Sequence, residues 1–391
     1  MNRKSYLLIC NFEMLKRDSK KYMGISKNLF QTFPLKILSM NKMISLTKTV
    51  FISGFSLFLF LAEQKAHCQL KYIETHMHLQ ATYRDHGQLK HDWMGTAEQA
   101  IKEMDELGVS KCLIMPPPQG TKGVNPYEYE VLLPVIKKYP DRFALVAGGG
   151  SLNLMIQQAI EEGSVSDKMK MKFIKTAQEI VDAGAVAFGE MTALHLSFNP
   201  QHSFEVAPPD HPLFFELADI SAKTGLPIDM HMEAVAKNIS LPDWFKSPPN
   251  ATMLNENISA FERLLEHNVK AKIVWQHVGW DNTGHLTITL LDSLLKKHSN
   301  LYIGLKCLQI GQSKIENRPL VNGKLKTEWI ELIKKYPDRF MLGSDYFYVI
   351  PGKGKQMPDS SKESRMIVDQ LPDGLKQKVA YINATNVYHL K

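Results

Sequence analysis

The stretch Tyr72-Ile73-Glu74-Thr75-His76-Met77-His78-Leu79-Gln80 determines how the rest of the chain is interpreted. It predicts a short strand that carries His76 and His78 to its end. Alternation along a strand points residues i and i+2 to the same face, so the two imidazoles can converge on one metal ion. A His-x-His pair alone is weak evidence, because such pairs occur by chance and often lie on a surface. The pair gains weight only if later strands also end in His, Glu or Asp.

Seven further strands are predicted outward from this stretch, at residues 109–115, 142–147, 185–190, 226–231, 271–277, 301–306 and 339–345. Helical patterns separate and follow them, at residues 95–107, 126–139, 166–183, 211–224, 255–267, 286–297, 326–336, 361–371 and 372–390. Short apolar strands between amphipathic helices favour parallel pairing with both faces of the sheet covered. Eight such units predict a closed (β/α)8 TIM barrel rather than an open doubly wound sheet.

The carboxyl ends of all barrel strands meet at one rim, where active sites are built. The predicted strands bring six polar side chains to that rim: His76, His78, Glu190, His231, His277 and Asp345. Neutral imidazoles and carboxylates are the ligands of a borderline divalent cation such as Zn²⁺, and a catalytic site leaves one position open for water. The coincidence of six such residues at strand ends is a much stronger signal than any one of them.

Other residues near the predicted rim each have two interpretations. Lys306, at the end of strand seven, binds an anionic group of the substrate or extends from the core with its charge in water. Trp280 lines the pocket or packs, and Glu233 orients a ligand or faces solvent. His195 and His285 follow strand ends and are weaker candidates for substrate contact. The triplet 148–150 lacks the spacing of a nucleotide-binding fingerprint, so no nucleotide cofactor is expected.

These strand ends resemble the metal-dependent amidohydrolase superfamily, and more closely the amidohydrolase-related branch that contains the aminocarboxymuconate-semialdehyde decarboxylases. The resemblance covers roughly residues 72–391 and includes Tyr381-Ile382-Asn383-Ala384-Thr385-Asn386. It implies metal ligation by three histidines, His76, His78 and His231. It also implies that Asp345 is both a ligand and the proton acceptor for the attacking water.

Two residues keep alternative roles under this resemblance. His277 is either a ligand of a second metal ion or a catalytic, substrate-polarising group. In some branches a carboxylated lysine or a glutamate at the end of strand four bridges two metals, and Glu190 occupies that position. The site is binuclear if Glu190 bridges, and mononuclear if Glu190 faces the substrate or a ligating histidine. No lysine ends this strand, so a carboxylated lysine is not supported there.

The ligand set predicts the chemistry. A bound cation lowers the pKa of its water from about 15.7 toward about 7 and polarises a substrate carbonyl. We expect a metal-dependent hydrolase, with one or two ions of a divalent metal such as zinc, that cleaves a C–N or C–O bond in a small-molecule amide, ester or lactone. One alternative is a metal-dependent decarboxylase of the same branch, with Lys306 or an arginine near the mouth of the barrel holding the substrate carboxylate. Another is a non-catalytic ligand-binding barrel.

The N-terminal part of the chain predicts export. A basic segment at 40–48 precedes an uncharged apolar run of 14 residues at 49–62, which is too short for a span of about 20 residues but suits a signal peptide. Ala66-His67-Cys68 offers a cleavage site before Gln69. We therefore expect a signal peptide at 40–68, a non-structural upstream extension at 1–39, and one barrel domain at 69–391. The protein would be secreted or periplasmic, with no stable membrane span after cleavage; a short buried helix is the alternative for the apolar run.

The distribution of charge limits the classes of binding partner that are expected, and the cysteine content predicts the state of the thiols. Residues 1–68 carry 11 Lys/Arg against 3 Asp/Glu, whereas the remainder carries 36 against 37. The basic excess of the chain therefore belongs to the leader, and no nucleic-acid partner is expected. Cys112 and Cys307 lie in apolar runs and are expected to be buried free thiols. A small-molecule substrate is the expected partner, and a homo-oligomer is compatible with the sequence.

Overall fold

Eight parallel strands form a closed barrel. The computed structural model describes residues 70–122, 127–200, 202–245, 249–308, 317–354 and 359–391. The barrel strands are β1 (Tyr72–Leu79), β2 (Val109–Ile114), β3 (Phe143–Gly148), β4 (Ala187–His195), β5 (Ile228–Met232), β6 (Ile273–Val278), β7 (Leu301–Leu305) and β8 (Phe340–Leu342). Each strand pairs with the next, and β8 pairs back to β1 through Leu342 and Glu74. The predicted (β/α)8 barrel is confirmed.

Helices lie between the strands and after the last one. They are α1 (Trp93–Leu107), α2 (Leu133–Lys138), α3 (Leu152–Glu162), α4 (Asp167–Asp182), α5 (Pro212–Thr224), α6 (Ile258–His267), α7 (Ile288–Lys297), α8 (Thr327–Lys335), α9 (Ser361–Gln370), α10 (Asp373–Gln377) and α11 (Asn383–Val387). A π-helical turn, Lys378–Ile382, joins α10 to α11.

Local capping explains where several helices begin and end. The side chain of Asp92 accepts a hydrogen bond from the amide of Gly95 at 2.8 Å and so caps α1. Ser166 caps α4 in the same way. Gly108 and Gly225 follow α1 and α5 with φ of 77° and 80°, a left-handed conformation that favours glycine. The ends at Gly108 and Gly225 and the start after Ser166 are those that the sequence predicts, whereas α1 begins at Trp93, two residues before the predicted start.

Between β3 and β4 the structure differs from the prediction. Helix α3 is absent from the predicted set, although Leu152, Met155, Ile156 and Ala159 are buried at helical spacing. The only helix predicted in this interval is the one at 166–183, which corresponds to α4. The predicted helix at 126–139 reduces, within its described residues, to a 3₁₀ turn and the six-residue α2. Pro134 explains the late start of α2, because proline fits the first helical turn and breaks an interior one.

Two strands end at other residues than predicted. Strand β4 continues five residues past Glu190, because Leu194 and His195 pair with the short antiparallel strand Glu205–Val206. Strand β8 ends early, at Leu342, and a further short strand, Tyr346–Tyr348, pairs in parallel with β1. Asp345 lies in the interval between these two segments. Glu190 is therefore in mid-strand and Asp345 just beyond a strand.

The core has two main parts. The larger apolar cluster packs the strands against the surrounding helices. A smaller cluster joins side chains of several strands, among them Ile73, Val146 and Val274, to Tyr388 beside α11. Burying apolar side chains in this way contributes about 25 cal/mol per Å² removed from water. Cys112 and Cys307 are free and buried, as predicted.

The predictions for the N-terminal segment concern residues that the structure does not describe. The signal peptide expected at 40–68 and the extension at 1–39 lie outside the described residues. The residues that are described fall in one compact unit that spans Gln69–Lys391. Among them, no helix has both the length and the apolarity needed to cross a membrane.

Candidate metal centre

Glu190 lies at the centre of the predicted rim, among four histidines. Its Oε2 is 3.4 Å from Nε2 of both His76 and His78. Its Oε1 accepts hydrogen bonds from His231 Nδ1 at 2.7 Å and from His277 Nε2 at 3.1 Å. One carboxylate thus links side chains from β1, β5 and β6. It lies there because β4 passes between β3 and β5 in the barrel.

Asp345 completes the set. Its Oδ1 is 3.3 Å from His78 Nε2 and 3.9 Å from His76 Nε2. Its Oδ2 is 3.7 Å from His277 Nδ1. The structure therefore brings together all six residues that the sequence places at the rim, although they span about 270 positions of the chain.

Two triads within this group have the spacing of metal ligands. One is His76, Glu190 and His277, and the other is His76, His78 and Asp345. In each triad one nitrogen or oxygen atom per residue lies within 4.8 Å of the others. His231 is not part of either triad, but its ring centroid is 4.4 Å from that of His277. His231 therefore borders the two triads through His277 and Glu190.

Within the ranges that the structure describes, the hydrogen bonds of the histidines leave three ring nitrogens without hydrogen-bond partners near the Glu190 and Asp345 carboxylates. His76 Nδ1 donates to Asp229 Oδ1 at 2.9 Å, and His78 Nδ1 donates to the Met115 carbonyl at 3.0 Å, because both partners can only accept. Nε2 of each ring is then the atom available for a ligand. His76 Nε2, His78 Nε2 and His277 Nδ1 are buried and have no hydrogen-bond partner among the described residues. Three such nitrogens beside a carboxylate fit a divalent cation.

The electrostatics favour a cation in the same place. Burial alone would lower the pKa of His76, but the Asp229 and Glu190 carboxylates raise it well above its ordinary value. Burial would raise the pKa of Asp345, but Lys306 and His277 hold it well below the ordinary value. The pKa of Glu190 is held well below its usual range by His76 and by two hydrogen-bonded histidines, against the effect of burial. Both rim carboxylates are therefore ionised at neutral pH.

Asp229 is the site residue that the sequence reasoning missed. It is completely buried in β5, and its Oδ2 accepts a hydrogen bond from Gln276 Nε2 at 2.5 Å. Gly189 makes room for it, since a Cβ there would lie 2.6 Å from the Asp229 Cβ. The signal was available: Asp229 precedes His231 by two positions in an apolar strand, so alternation places both on one face. A carboxylate behind a histidine fixes the tautomer and raises the basicity of the ligand.

Lys306 and Trp280 lie together beside Asp345. Lys306 Nζ is 2.6 Å from Asp345 Oδ2 and 3.7 Å from the centroid of the Trp280 ring. The Trp280 ring stacks on Phe198, with centroids 5.5 Å apart and planes inclined by 10°. Glu233 accepts a hydrogen bond from Asn282 Nδ2 at 2.7 Å. Burial raises the pKa of Glu233 to about 7.

The two weaker histidine candidates differ in position. His195 is buried at the end of β4, with its ring centroid 4.8 Å from that of His231. Its Nδ1 donates to the Ser203 carbonyl at 3.0 Å, and burial lowers its pKa well below the ordinary value. His285 Nδ1 instead accepts a hydrogen bond from the backbone amide of Ala236. His195 therefore belongs to the rim, whereas His285 supports a loop.

Comparisons with known proteins place these features in a family. Residues 175–390 match the family model described as Amidohydrolase. No curated protein sequence matches the chain. Among solved structures, a probable 2-pyrone-4,6-dicarboxylic acid hydrolase from Acinetobacter baumannii is 14% identical, with a TM-score of 0.44, over 82% of this chain and 100% of that chain. Amidohydrolase 2 from Bifidobacterium longum subsp. infantis (11%, TM-score 0.41) and a zinc-bound amidohydrolase from Burkholderia multivorans (12%, TM-score 0.40) are similar over the same shares.

Proposed function

The chain belongs to the amidohydrolase family, and from that premise we propose that it hydrolyses a C–N or C–O bond in a small-molecule amide, ester or lactone. The family establishes an enzyme of the metal-dependent hydrolase type, while the specific reaction is our proposal. The observation that carries it is the meeting of three buried imidazole nitrogens, which lack hydrogen-bond partners in the described part of the chain, with the ionised Asp345.

The residues that would hold a divalent metal are those of the rim. His76 and His78 would bind through Nε2, and Asp345 would bind through a carboxylate oxygen, with His231 and His277 beside them. Nitrogen and oxygen ligands of this kind suit Zn²⁺. Glu190 supports a single ion, because its Oε1 is occupied by hydrogen bonds from the two neighbouring histidines. A bridging Glu190 would instead give two ions.

The chain's own groups account for the movement of protons. When bound, the metal lowers the pKa of a water molecule and polarises the substrate carbonyl. Asp345 accepts a proton from the attacking water as the oxygen of that water forms a bond to the carbonyl carbon. Asp345 then returns the proton to the leaving nitrogen or oxygen as the C–N or C–O bond breaks. The products are a carboxylic acid and an amine or alcohol, or a single hydroxy acid from a lactone.

We also propose that the enzyme acts outside the cytoplasm, after removal of the signal peptide at 40–68. The support is the basic segment and the 14-residue apolar run that precede Gln69. N-terminal sequencing of protein recovered from the periplasm or medium tests this. A mature chain that begins at Gln69 is expected, and a chain recovered only from the cytoplasm with residues 40–68 intact would refute it.

The test of the reaction combines metal analysis with a substrate panel. Wild type is compared with His76→Ala/His78→Ala and with a matched double variant, His86→Ala/His91→Ala, whose histidines lie at an exposed hairpin. We expect wild type and the hairpin variant to hold one zinc ion and to hydrolyse at least one ester, lactone or amide. The rim variant should lose both properties.

Three other results would contradict the proposed metal site or the proposed reaction. Zinc retained at full stoichiometry in the rim variant would refute the metal site. Release of CO₂ from carboxylic acids without hydrolysis would favour the decarboxylase. A metal-loaded wild type that turns over neither class of substrate would refute the proposed reaction.

A further inference from the structure

Lys306 is a buried cation whose contacts are made within the protein. Its exposed fraction is 4%, and its ammonium lies between the Asp345 carboxylate and the Trp280 ring. The backbone below it is packed tightly as well, because a Cβ at Gly279 would lie 2.6 Å from the Lys306 carbonyl oxygen. The sequence left open a role for Lys306 in binding an anionic substrate group. In the structure, however, the ammonium is already in contact with the Asp345 carboxylate and the Trp280 ring.

We propose that Lys306 is a positioning residue that fixes the orientation of the Asp345 carboxylate. The ammonium contacts Oδ2 at 2.6 Å and leaves Oδ1 facing His78 Nε2 at 3.3 Å. The inference rests on the proposed function, in which Asp345 is a metal ligand and accepts the proton of the attacking water. The two carboxylate oxygens of Asp345 therefore have different roles. Lys306 holds Oδ2, and Oδ1 faces the histidines.

The other contacts of the Asp345 carboxylate with ionisable side chains in the described residues are longer. His277 Nδ1 lies 3.7 Å from Oδ2, which is beyond hydrogen-bond distance. Oδ1 faces two imidazole nitrogens, at 3.3 Å and 3.9 Å. A short charge-assisted contact restrains a carboxylate more strongly than a neutral hydrogen bond does. Without it, Oδ2 of Asp345 loses its short contact with the protein.

Trp280 restrains the lysine in turn. A cation 3.7 Å from the centroid of a tryptophan ring has a favourable interaction with the ring face. The ring itself is held by stacking on Phe198. Phe198 thus packs on Trp280, Trp280 contacts the ammonium of Lys306, and Lys306 contacts the carboxylate of Asp345. Each step places the next side chain, and only Asp345 touches the reacting water in the proposed reaction.

The variants follow from these contacts. Lys306→Met keeps most of the length of the side chain and removes its charge, whereas Lys306→Arg keeps the charge. The matched control is Lys335→Met on helix α8, because Lys335 contacts Asp292 at the same 2.6 Å and lies 5.4 Å from the Tyr336 ring, at an exposed position. The control removes an equivalent lysine pair that has no role in positioning Asp345.

Two measurements address position and turnover. Crystal structures of all four proteins report the orientation of the Asp345 carboxylate, whether or not the protein is active. In Lys306→Met we expect Asp345 to leave its wild-type rotamer, and in Lys306→Arg we expect it to keep that rotamer. With p-nitrophenyl acetate as the probe, kcat should fall about 100-fold in Lys306→Met with KM within about threefold, and Lys306→Arg should recover at least a tenth of the wild-type kcat.

The visible spectrum of the Co²⁺-substituted protein gives a third readout. We expect its absorption bands to shift in Lys306→Met and to remain at their wild-type positions in Lys306→Arg and Lys335→Met. An unchanged Asp345 rotamer and unchanged bands in Lys306→Met would overturn the proposal. So would a rise in KM alone, which would assign Lys306 to substrate binding. If wild type turns over no ester, lactone or amide, the proposed reaction fails, while the rotamer of Asp345 still decides the role of Lys306.

Discussion

Replacing Asp229 with asparagine should weaken metal binding without unfolding the barrel. Asparagine keeps the shape of the side chain, and its amide oxygen can still accept from His76 Nδ1, but the negative charge behind the imidazole is lost. The wild-type contact is 2.9 Å long, and both side chains are fully buried. A hydrogen bond to a charged group of this kind contributes about 1.5–3 kcal/mol. Because about 1.4 kcal/mol corresponds to a tenfold change in affinity, we expect Zn²⁺ to bind about 10- to 100-fold more weakly.

The assay is a competition titration of Zn²⁺ between the metal-free protein and a chromophoric chelator at fixed pH. Asp219→Asn is the matched control, because Asp219 also contacts a histidine, His267, at 3.1 Å, but at an exposed position. That variant should bind Zn²⁺ as wild type does. If Asp229→Asn binds Zn²⁺ within twofold of wild type while its melting temperature is unchanged, the reasoning that ties this carboxylate to the ligand is refuted.

Three further predictions concern protons and packing. Since the pKa values of His76 and His78 are raised, protons must leave these imidazoles when Zn²⁺ binds through Nε2. The affinity for Zn²⁺ should therefore rise with pH through neutrality, and calorimetry in two buffers should detect at least one proton released per ion, whereas none would contradict it. Burial raises the pKa of Glu74 from 4.5 to about 7, so its stability cost is absent below about pH 4.5 and complete above about pH 7. Glu74→Gln should gain about 3 kcal/mol over wild type across that interval in urea unfolding, and a gain independent of pH would contradict it. Gly189→Ala should lose about 1–3 kcal/mol by overpacking against Asp229, whereas Gly374→Ala, with open space around its Cβ, should change stability little in the same unfolding assay.

The barrel was predictable because its signal is local and repeated. Each short apolar strand is followed by a helix whose capping residues, such as Ser166 and Gly225, act within a few positions of themselves. Parallel pairing then follows from the alternation of strand and helix. Helix α3 was missed although its apolar spacing is clear, because the helix predicted at 166–183 already filled the interval between β3 and β4.

The rim was predictable in composition and less so in detail. Strand ends identify His76, His231 and His277, since the fold brings every strand end to one place. Which nitrogen of each ring faces the rim depends on partners that are distant in sequence, such as Asp229, 153 positions from His76. The contact between Lys306 and Asp345 likewise joins two loops whose geometry no local pattern encodes.

The rim can form only after the last barrel strand has been synthesised, because its residues come from the first strand and from the segment after the last one. His76 belongs to the first barrel strand, and Asp345 follows the last one. Asn383, still later, donates hydrogen bonds to the carbonyls of Pro337 and Phe340 and so holds the start of β8. A chain that ends before Asp345 would contain the rim histidines but would lack the Asp345 carboxylate that completes the rim. Under the proposed function, we therefore expect metal uptake only after the segment around Asn383 has packed against β8.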